Sequence, residues 1–227
     1  ANEAVANIDT AYPADDLADA VTIALGGNAA TADGDGVTVD GNTVTIAAAG
    51  TYVLSGTLAG QVVVDAADAD VTLVLDGVHI TSTTTAAIAV TAAGQVAVIL
   101  ADGSDNSLAD TAPYADDADV NAALFSSADM AIGGTGSLTV TGNGNDGIAS
   151  KDGLVIASGT LTVSAVDDGV RGKDYLVIDG GAISVTAGGD GLKADNDTDA
   201  DRGYLAVTGG EIIVDAEDEG VQAETDL

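Results

Sequence analysis

The sequence predicts an all-β chain wound as a parallel β-helix, a solenoid with about 22 residues in each coil. Three observations lead there. Short runs of β-branched residues alternate at period two between Gly, Asp and Asn turn formers, which is the pattern of strands. No long amphipathic helix interrupts them. An Asp-Gly-aliphatic signature also returns at a fixed interval, as Asp146-Gly147-Ile148, Asp168-Gly169-Val170, Asp190-Gly191-Leu192 and Glu219-Gly220-Val221. The steps are 22, 22 and 29 residues, the last being one period plus seven inserted residues. A period of this length without helices fits stacked coils, because one coil cannot bury its apolar face alone. A sandwich or jelly roll also has short strands but does not impose such an echo.

The elements follow in order. Residues 1–30 are irregular and are expected to cap one end; residues 31–227 are expected to form the β-helix domain. Short helices are expected at 13–24 and 115–124. Strands are expected at 37–39, 44–46, 52–54, 62–64, 71–75, 88–90 and 96–100, where Val, Ile, Leu and Thr alternate. In the repeats, Leu154-Val155-Ile156, Leu176-Val177-Ile178 and Leu205-Ala206-Val207 form one column. Leu138-Thr139-Val140, Leu161-Thr162-Val163, Ile183-Ser184-Val185 and Ile212-Ile213-Val214 form another. Each repeat reads as strand, Asp-Gly turn, short strand, turn. Leu154, Ile156, Leu176, Ile178, Leu205 and Val207 are expected to point inward as aliphatic ladders. The sequence stops in mid-repeat at Leu227, so the native chain is expected to continue.

Composition limits the partners. The 227 residues hold 37 acids, 32 of them Asp, against 5 bases, for a net charge of −32. A polyanion such as nucleic acid is repelled and finds no basic stripe. An anionic membrane surface is disfavoured for the same reason, and no apolar run is long enough to insert. Hydrophobic content of 46% supports a real core and argues against simple disorder. There is no Cys and one His, so thiolate and multi-His metal sites are excluded. Asp richness with little Lys suits a secreted or salt-adapted protein, although no signal peptide is visible.

Coil stacking turns a repeated acid into a ladder. Asp146, Asp168, Asp190 and Glu219 are expected one above another, as are Asp152 and Asp174 with Asn196 next. Like charges about 4 Å apart repel by about 1 kcal/mol even in water. Hard cations offset this naturally, and Ca²⁺ takes 6–8 oxygen ligands. The insertion adds Asp195, Asp197, Asp199 and Asp201 at alternate positions, like the start of a calcium loop; no closing Glu or flanking helices make it an EF-hand. The plain alternative is that these Asp are turn formers and solvated surface.

All five bases lie between Lys151 and Arg202. Lys151 and Lys173 are 22 residues apart, as are Arg171 and Lys193. They form two short cationic columns that either neutralise neighbouring Asp or bind the carboxylates of an acidic polysaccharide. Tyr175 and Tyr204 precede equivalent strands and are expected to face outward. They form either a sugar platform or a ladder that stabilises the solenoid. His79 lies in a strand with no partner cluster. For catalysis no Ser-His-Asp set is identifiable. The one enzyme reading with a mechanism is a uronate lyase in which Ca²⁺ acidifies the proton beside the carboxyl and Arg171 or Lys173 removes it.

Several stretches resemble a known family. They are Asp35-Gly36-Val37-Thr38-Val39-Asp40-Gly41, Ala49-Gly50-Thr51-Tyr52-Val53-Leu54-Ser55-Gly56, Val74-Leu75-Asp76-Gly77-Val78 and Gly142-Asn143-Gly144-Asn145-Asp146-Gly147-Ile148. Two more are Asp167-Asp168-Gly169-Val170-Arg171-Gly172-Lys173-Asp174, the most specific, and Ala187-Gly188-Gly189-Asp190-Gly191-Leu192-Lys193. Together they resemble the bacterial surface family of carbohydrate-binding-domain-containing proteins, of the pectate-lyase-like right-handed β-helix class. The resemblance implies a secreted, calcium-binding protein that adsorbs to cellulose or pectic acids without cleaving them. It also implies that the Asp-Gly and Lys-Asp positions contact calcium or sugar. The chain departs from the family in having Ser127-Ala128-Asp129 where Lys-Asp is common. Besides the binder and the lyase, a third reading is a structural fibre protein whose open coil ends associate end to end.

Overall fold

A computed structural model describes residues 1–12, 16–111, 114–115 and 118–227. The chain winds as a parallel β-solenoid of about seven turns, matching the predicted class. Each regular coil carries three strands rather than the two expected. One column runs through Ile88–Ala92, Ala122–Ser126, Asp146–Ser150, Val170–Gly172, Leu192–Ala194 and Val221–Ala223. A second runs through Gln95–Leu100, Asp129–Gly134, Gly153–Ile156, Tyr175–Ile178 and Tyr204–Val207. The third runs through Asp105–Ala109, Ser137–Gly142, Thr160–Ala165, Ala182–Ala187 and Glu211–Ala216. The long strand Asp70–Thr81 pairs with both the second and the third column and joins them into one sheet. The missed strands are the short ones that follow each Asp-Gly; Val170-Arg171-Gly172 has too few apolar positions to show a period.

Inward side chains form one continuous aliphatic core that includes Leu154, Ile156, Leu176, Ile178 and Leu205, as expected. Val207 departs from this and is half-exposed: its strand, Tyr204–Val207, has a paired neighbour on one side only. The repeated Asp-Gly owes its glycine to close packing. A Cβ on Gly169 would lie 2.2 Å from Val185 Cγ1 and 2.7 Å from the Gly191 carbonyl. Gly147 and Gly191 meet the equivalent atoms in their own coils.

The first thirty residues divide. Strand Val21–Gly27 pairs in parallel with Gly50–Ala59 and is the first rung of the solenoid. Antiparallel pairing of Val21–Gly27 with Ala30–Ala32, and of Val37–Asp40 with Thr43–Ile46, closes that end. Residues 1–12 lie elsewhere, as a strap along the outside of the second column. Glu3 bonds at Asp201, Ala6 at Tyr175, and Thr10 covers Gly133. Of the segments expected to be helical, residues 13–15 and 116–117 lie outside the described residues. The rest holds a 3₁₀ turn at Asp16–Ala18 and the starts of strands Val21–Gly27 and Ala122–Ser126. Among the described residues, no helix is long and apolar enough to cross a membrane.

Candidate functional site: an acidic ladder with one cation

The Asp-Gly column brings its acids together. Asp146, Asp168 and Asp190 are buried at 2%, 5% and 5% exposure, and Glu219 is exposed on the last coil. Backbone N–H groups hold the stack. Asp168 N–H donates to Asp146 Oδ1 at 3.3 Å, Asp190 N–H to Asp168 Oδ1 at 2.9 Å, and Glu219 N–H to Asp190 Oδ1 at 3.0 Å. Each coil thereby presents the next with an oriented carboxylate.

The bases divide the ladder unequally. Lys193 Nζ sits 2.9 Å from Asp168 Oδ2 and 2.8 Å from Asp190 Oδ2. Burial works against charge on Asp190, but Lys193 and the Glu219 amide outweigh it and hold the carboxyl below its ordinary value. Arg171 pairs in register with Lys193 one coil earlier. Its guanidinium does not bridge Asp146 and Asp168; it forks onto Asp195, with Nε 3.0 Å from Oδ1 and Nη2 2.8 Å from Oδ2. Asp146 is left with the side-chain amide of Asn121 at 2.9 Å. Burial, and then the charge of Asp168, push Asp146 up to about 7. Asp167 is also raised, by burial and by Asp168.

Two groups of carboxylate oxygens converge within 4.8 Å. One is Asp146, Asp167 and Asp168; the other is Asp190, Asp218 and Glu219. Beside the first, Asn121 Oδ1 is buried and has no hydrogen-bond partner among the described residues. Beyond Lys193 in register, Gln222 Oε1 is in the same condition. Donor sets made wholly of oxygen with spare buried acceptors suit a hard cation such as calcium. Asp167 and Asp218 were not among the expected ligands; the doublets Asp167-Asp168-Gly169 and Asp218-Glu219-Gly220 were the available signal.

The other expected residues scatter. Asp174 is buried and accepts from Asn196 Nδ2 and from Arg202 Nη1. Asp152 is raised by burial, and then by its hydrogen bond to Asp174. The insertion does not gather its four acids. Asp195 goes to Arg171, Asp199 caps the N–H of Asp201 at 3.0 Å, and Asn196 Oδ1 organises the turn by accepting from Thr198 and Asp199. Among the described residues, neither metal-sized cluster includes Asp197 or Asp201. Lys151 pairs with Asp119 at 3.0 Å in an exposed contact, so it lies apart from the ladder. Among the described residues, Lys173 forms no ion pair.

Tyr175 and Tyr204 stand on adjacent coils, but they do not face outward as expected, which favours the ladder over the sugar platform. They are 2% and 6% exposed, with ring centroids 5.6 Å apart. The Tyr175 ring leans back over Gly153 and its hydroxyl donates to Asp129 Oδ1 at 2.7 Å. The strap covers both rings: Ala6 N–H donates to the Tyr175 hydroxyl at 2.9 Å, and the Tyr204 hydroxyl donates to the Glu3 carbonyl at 2.8 Å. A cover made by residues 1–12 had no signal in the periodic pattern.

Comparison with known proteins agrees with this fold. A family model described as carbohydrate-binding domain-containing protein matches residues 40–227. A carbohydrate-binding domain-containing protein of Acetivibrio thermocellus is 40% identical over 137 residues, which is 58% of this chain and 48% of the relative. The chain thus spans about half the length of that relative. A solved polysaccharide lyase-like protein from C. thermocellum, a gadolinium derivative, superimposes with a TM-score of 0.82 at 35% identity. That superposition covers 91% of this chain and 92% of the other. With a parallel β-solenoid in hand and the family model matched over most of its length, the chain belongs to the carbohydrate-binding domain-containing family.

Proposed function

We propose that the protein is a non-catalytic, extracellular carbohydrate-binding protein that holds calcium at Asp146, Asp167 and Asp168 and uses it to bind acidic polysaccharide. One observation carries this reading: Lys193 neutralises the Asp168–Asp190 step, whereas Arg171, its counterpart, is committed to Asp195. The Asp146–Asp168 step therefore keeps a charge deficit that a hard divalent cation fills. Calcium seeks more oxygens than three carboxylates supply, so uronate carboxylates of a glycan can complete its shell. The neighbouring structure's gadolinium is likewise a hard cation, which is consistent with oxygen-rich sites on this fold. The acidic surface and the family support a place outside the cell.

The lyase reading fares less well. Arg171 is forked onto a carboxylate that raises its pKa further, so it makes a poor proton acceptor. Lys173 remains as the base for that alternative. The fibre reading gains nothing from exposed Ile213, whose register with Ser184 sets it on the lateral outer face rather than on a coil end.

Titration calorimetry with calcium, and pull-down on polygalacturonate with and without chelator, test the proposal. It requires calcium-dependent binding that weakens in Asp167→Asn and yields no ultraviolet-absorbing unsaturated product. Binding indifferent to chelator rejects the calcium role, and product formation that Lys173→Ala abolishes favours the lyase.

A further inference from the structure

The turn before Asp146 is one residue longer than its counterparts. Between the third column and the buried acid stand Asn143, Gly144 and Asn145, whereas the next two coils have Val166 and Asp167, then Gly188 and Gly189. The longer turn contains the chain's one Asn-Gly pair; the eight other asparagines all precede a residue with a side chain. Packing fixes the glycine, because the turn lies on Tyr114. A Cβ on Gly144 would meet that ring at 2.4 Å and the Thr111 carbonyl at 2.6 Å.

An Asn-Gly link is chemically weak. With no side chain in the way, the Gly144 nitrogen can attack Asn143 Cγ. The bond from Cγ to Nδ2 breaks, the Gly144 amide proton passes through water to Nδ2, and ammonia leaves. The cyclic imide then takes up water at either carbonyl and opens to aspartate or isoaspartate. Water is the one co-reactant. The step requires the Gly144 amide and the Asn143 carboxamide to be free to turn toward each other.

In the structure a single residue holds both. Asp110 directly follows strand Asp105–Ala109 and is 3% exposed. Its Oδ1 accepts from the Asn143 N–H, and its Oδ2 accepts from the Gly144 N–H at 3.3 Å. Its backbone carbonyl accepts from Asn143 Nδ2 at 3.1 Å. Nucleophile and leaving group are thus tied to the same residue, although Asn143 itself is exposed to water. A buried carboxylate that released these amides would lose charge-assisted partners, so the ties are kept.

We propose that Asn143 is a latent modification site, a deamidation point that Asp110 keeps closed in the folded coil and that opens when the turn lifts off it. Conversion adds a carboxylate to the turn that presents Asp146, and isoaspartate adds one main-chain bond as well. The modification therefore falls at the end of the acidic ladder that has no base of its own. It depends on neither the calcium nor the carbohydrate reading.

The test is incubation of the protein in warm, mildly alkaline buffer, followed by peptide mapping with mass spectrometry and enzymatic methylation of isoaspartate. Conversion at Asn143 in the folded wild type is expected to run at least about tenfold slower than in the same protein unfolded in urea, since the ties must open first. Asp110→Asn keeps the shape of the side chain and removes its charge and one acceptor. It is expected to raise the folded-state rate at Asn143 several-fold. Asn145 in the same turn is the internal control, because its contact is to Asp167 rather than to Asp110. Its rate should stay as in the wild type. Amide hydrogen exchange of the wild type needs no variant: the N–H groups of Asn143 and Gly144 should exchange slowly for a surface turn. The proposal is overturned if folded and unfolded wild type convert alike, or if both amides exchange fast. It is also overturned if Asp110→Asn leaves the rate at Asn143 unchanged, or raises Asn143 and Asn145 together, which would be general loosening.

Discussion

Arg171 and Lys193 occupy the same position on adjacent coils, yet they serve different carboxylates. Lys193 stays on its own ladder and Arg171 leaves it for Asp195 in the insertion. A seven-residue insertion thus alters the charge balance one coil away from itself.

Lys193→Met should remove the base that joins Asp168 to Asp190. Breaking a largely buried pair from one side leaves uncompensated carboxylates, and the expected cost is about 2–3 kcal/mol. Calcium at millimolar concentration should restore much of the loss. Chemical denaturation with and without calcium checks this; a variant as stable as the wild type in chelator contradicts it.

Asp146 gives a pH dependence whose sign follows from its raised pKa. Its folded value is about 7 against an ordinary carboxylate value of 3.8, so the folded state binds the extra proton between those limits. Its contribution to stability in chelator therefore falls as pH rises from about 4 to about 7, by at most about 4 kcal/mol. Asp146→Asn should flatten that slope, and calcium should reduce it in the wild type. Melting temperature against pH reads both effects.

The strap should be removable without loss of the solenoid. Deleting residues 1–12 strands no polar group, since Tyr204 gains water and Tyr175 keeps Asp129. Tyrosine emission should become more accessible to acrylamide, with far-ultraviolet dichroism retained. Unchanged quenching would mean that the rings find another cover.

Gly153→Ala should collide with Tyr175, because a Cβ there lies 1.9 Å from Cζ. The ring must move off Asp129 and from beneath the strap, at an expected cost of about 1–3 kcal/mol. In the background of Tyr175→Ala the same substitution should cost much less. A double-mutant cycle measures the coupling; additive losses would exclude the contact as its cause.

The coil period, the ladders and the acidic stack were legible because they repeat. Asp146, Asp168 and Asp190 share one environment, so their alignment follows from spacing alone. Features that break the period were hidden. The forking of Arg171 onto Asp195 depends on where the insertion folds back. The burial of Tyr175 and Tyr204 depends on a segment more than 160 residues away in sequence. Each is a single long-range contact, and periodic patterning carries no information about such contacts.

A stacked solenoid is a nearly one-dimensional object in which each unit touches its neighbours, so it can fray from an end one unit at a time. The strap changes that. Glu3 holds Arg202 at 2.9 Å and receives the Tyr204 hydroxyl, so a segment that leads into the first rung is fastened to the last. Peeling the coil that carries Tyr204 must also break these strap contacts. The strap therefore adds a lateral tie to that coil, beside the stacking that holds it to its neighbour.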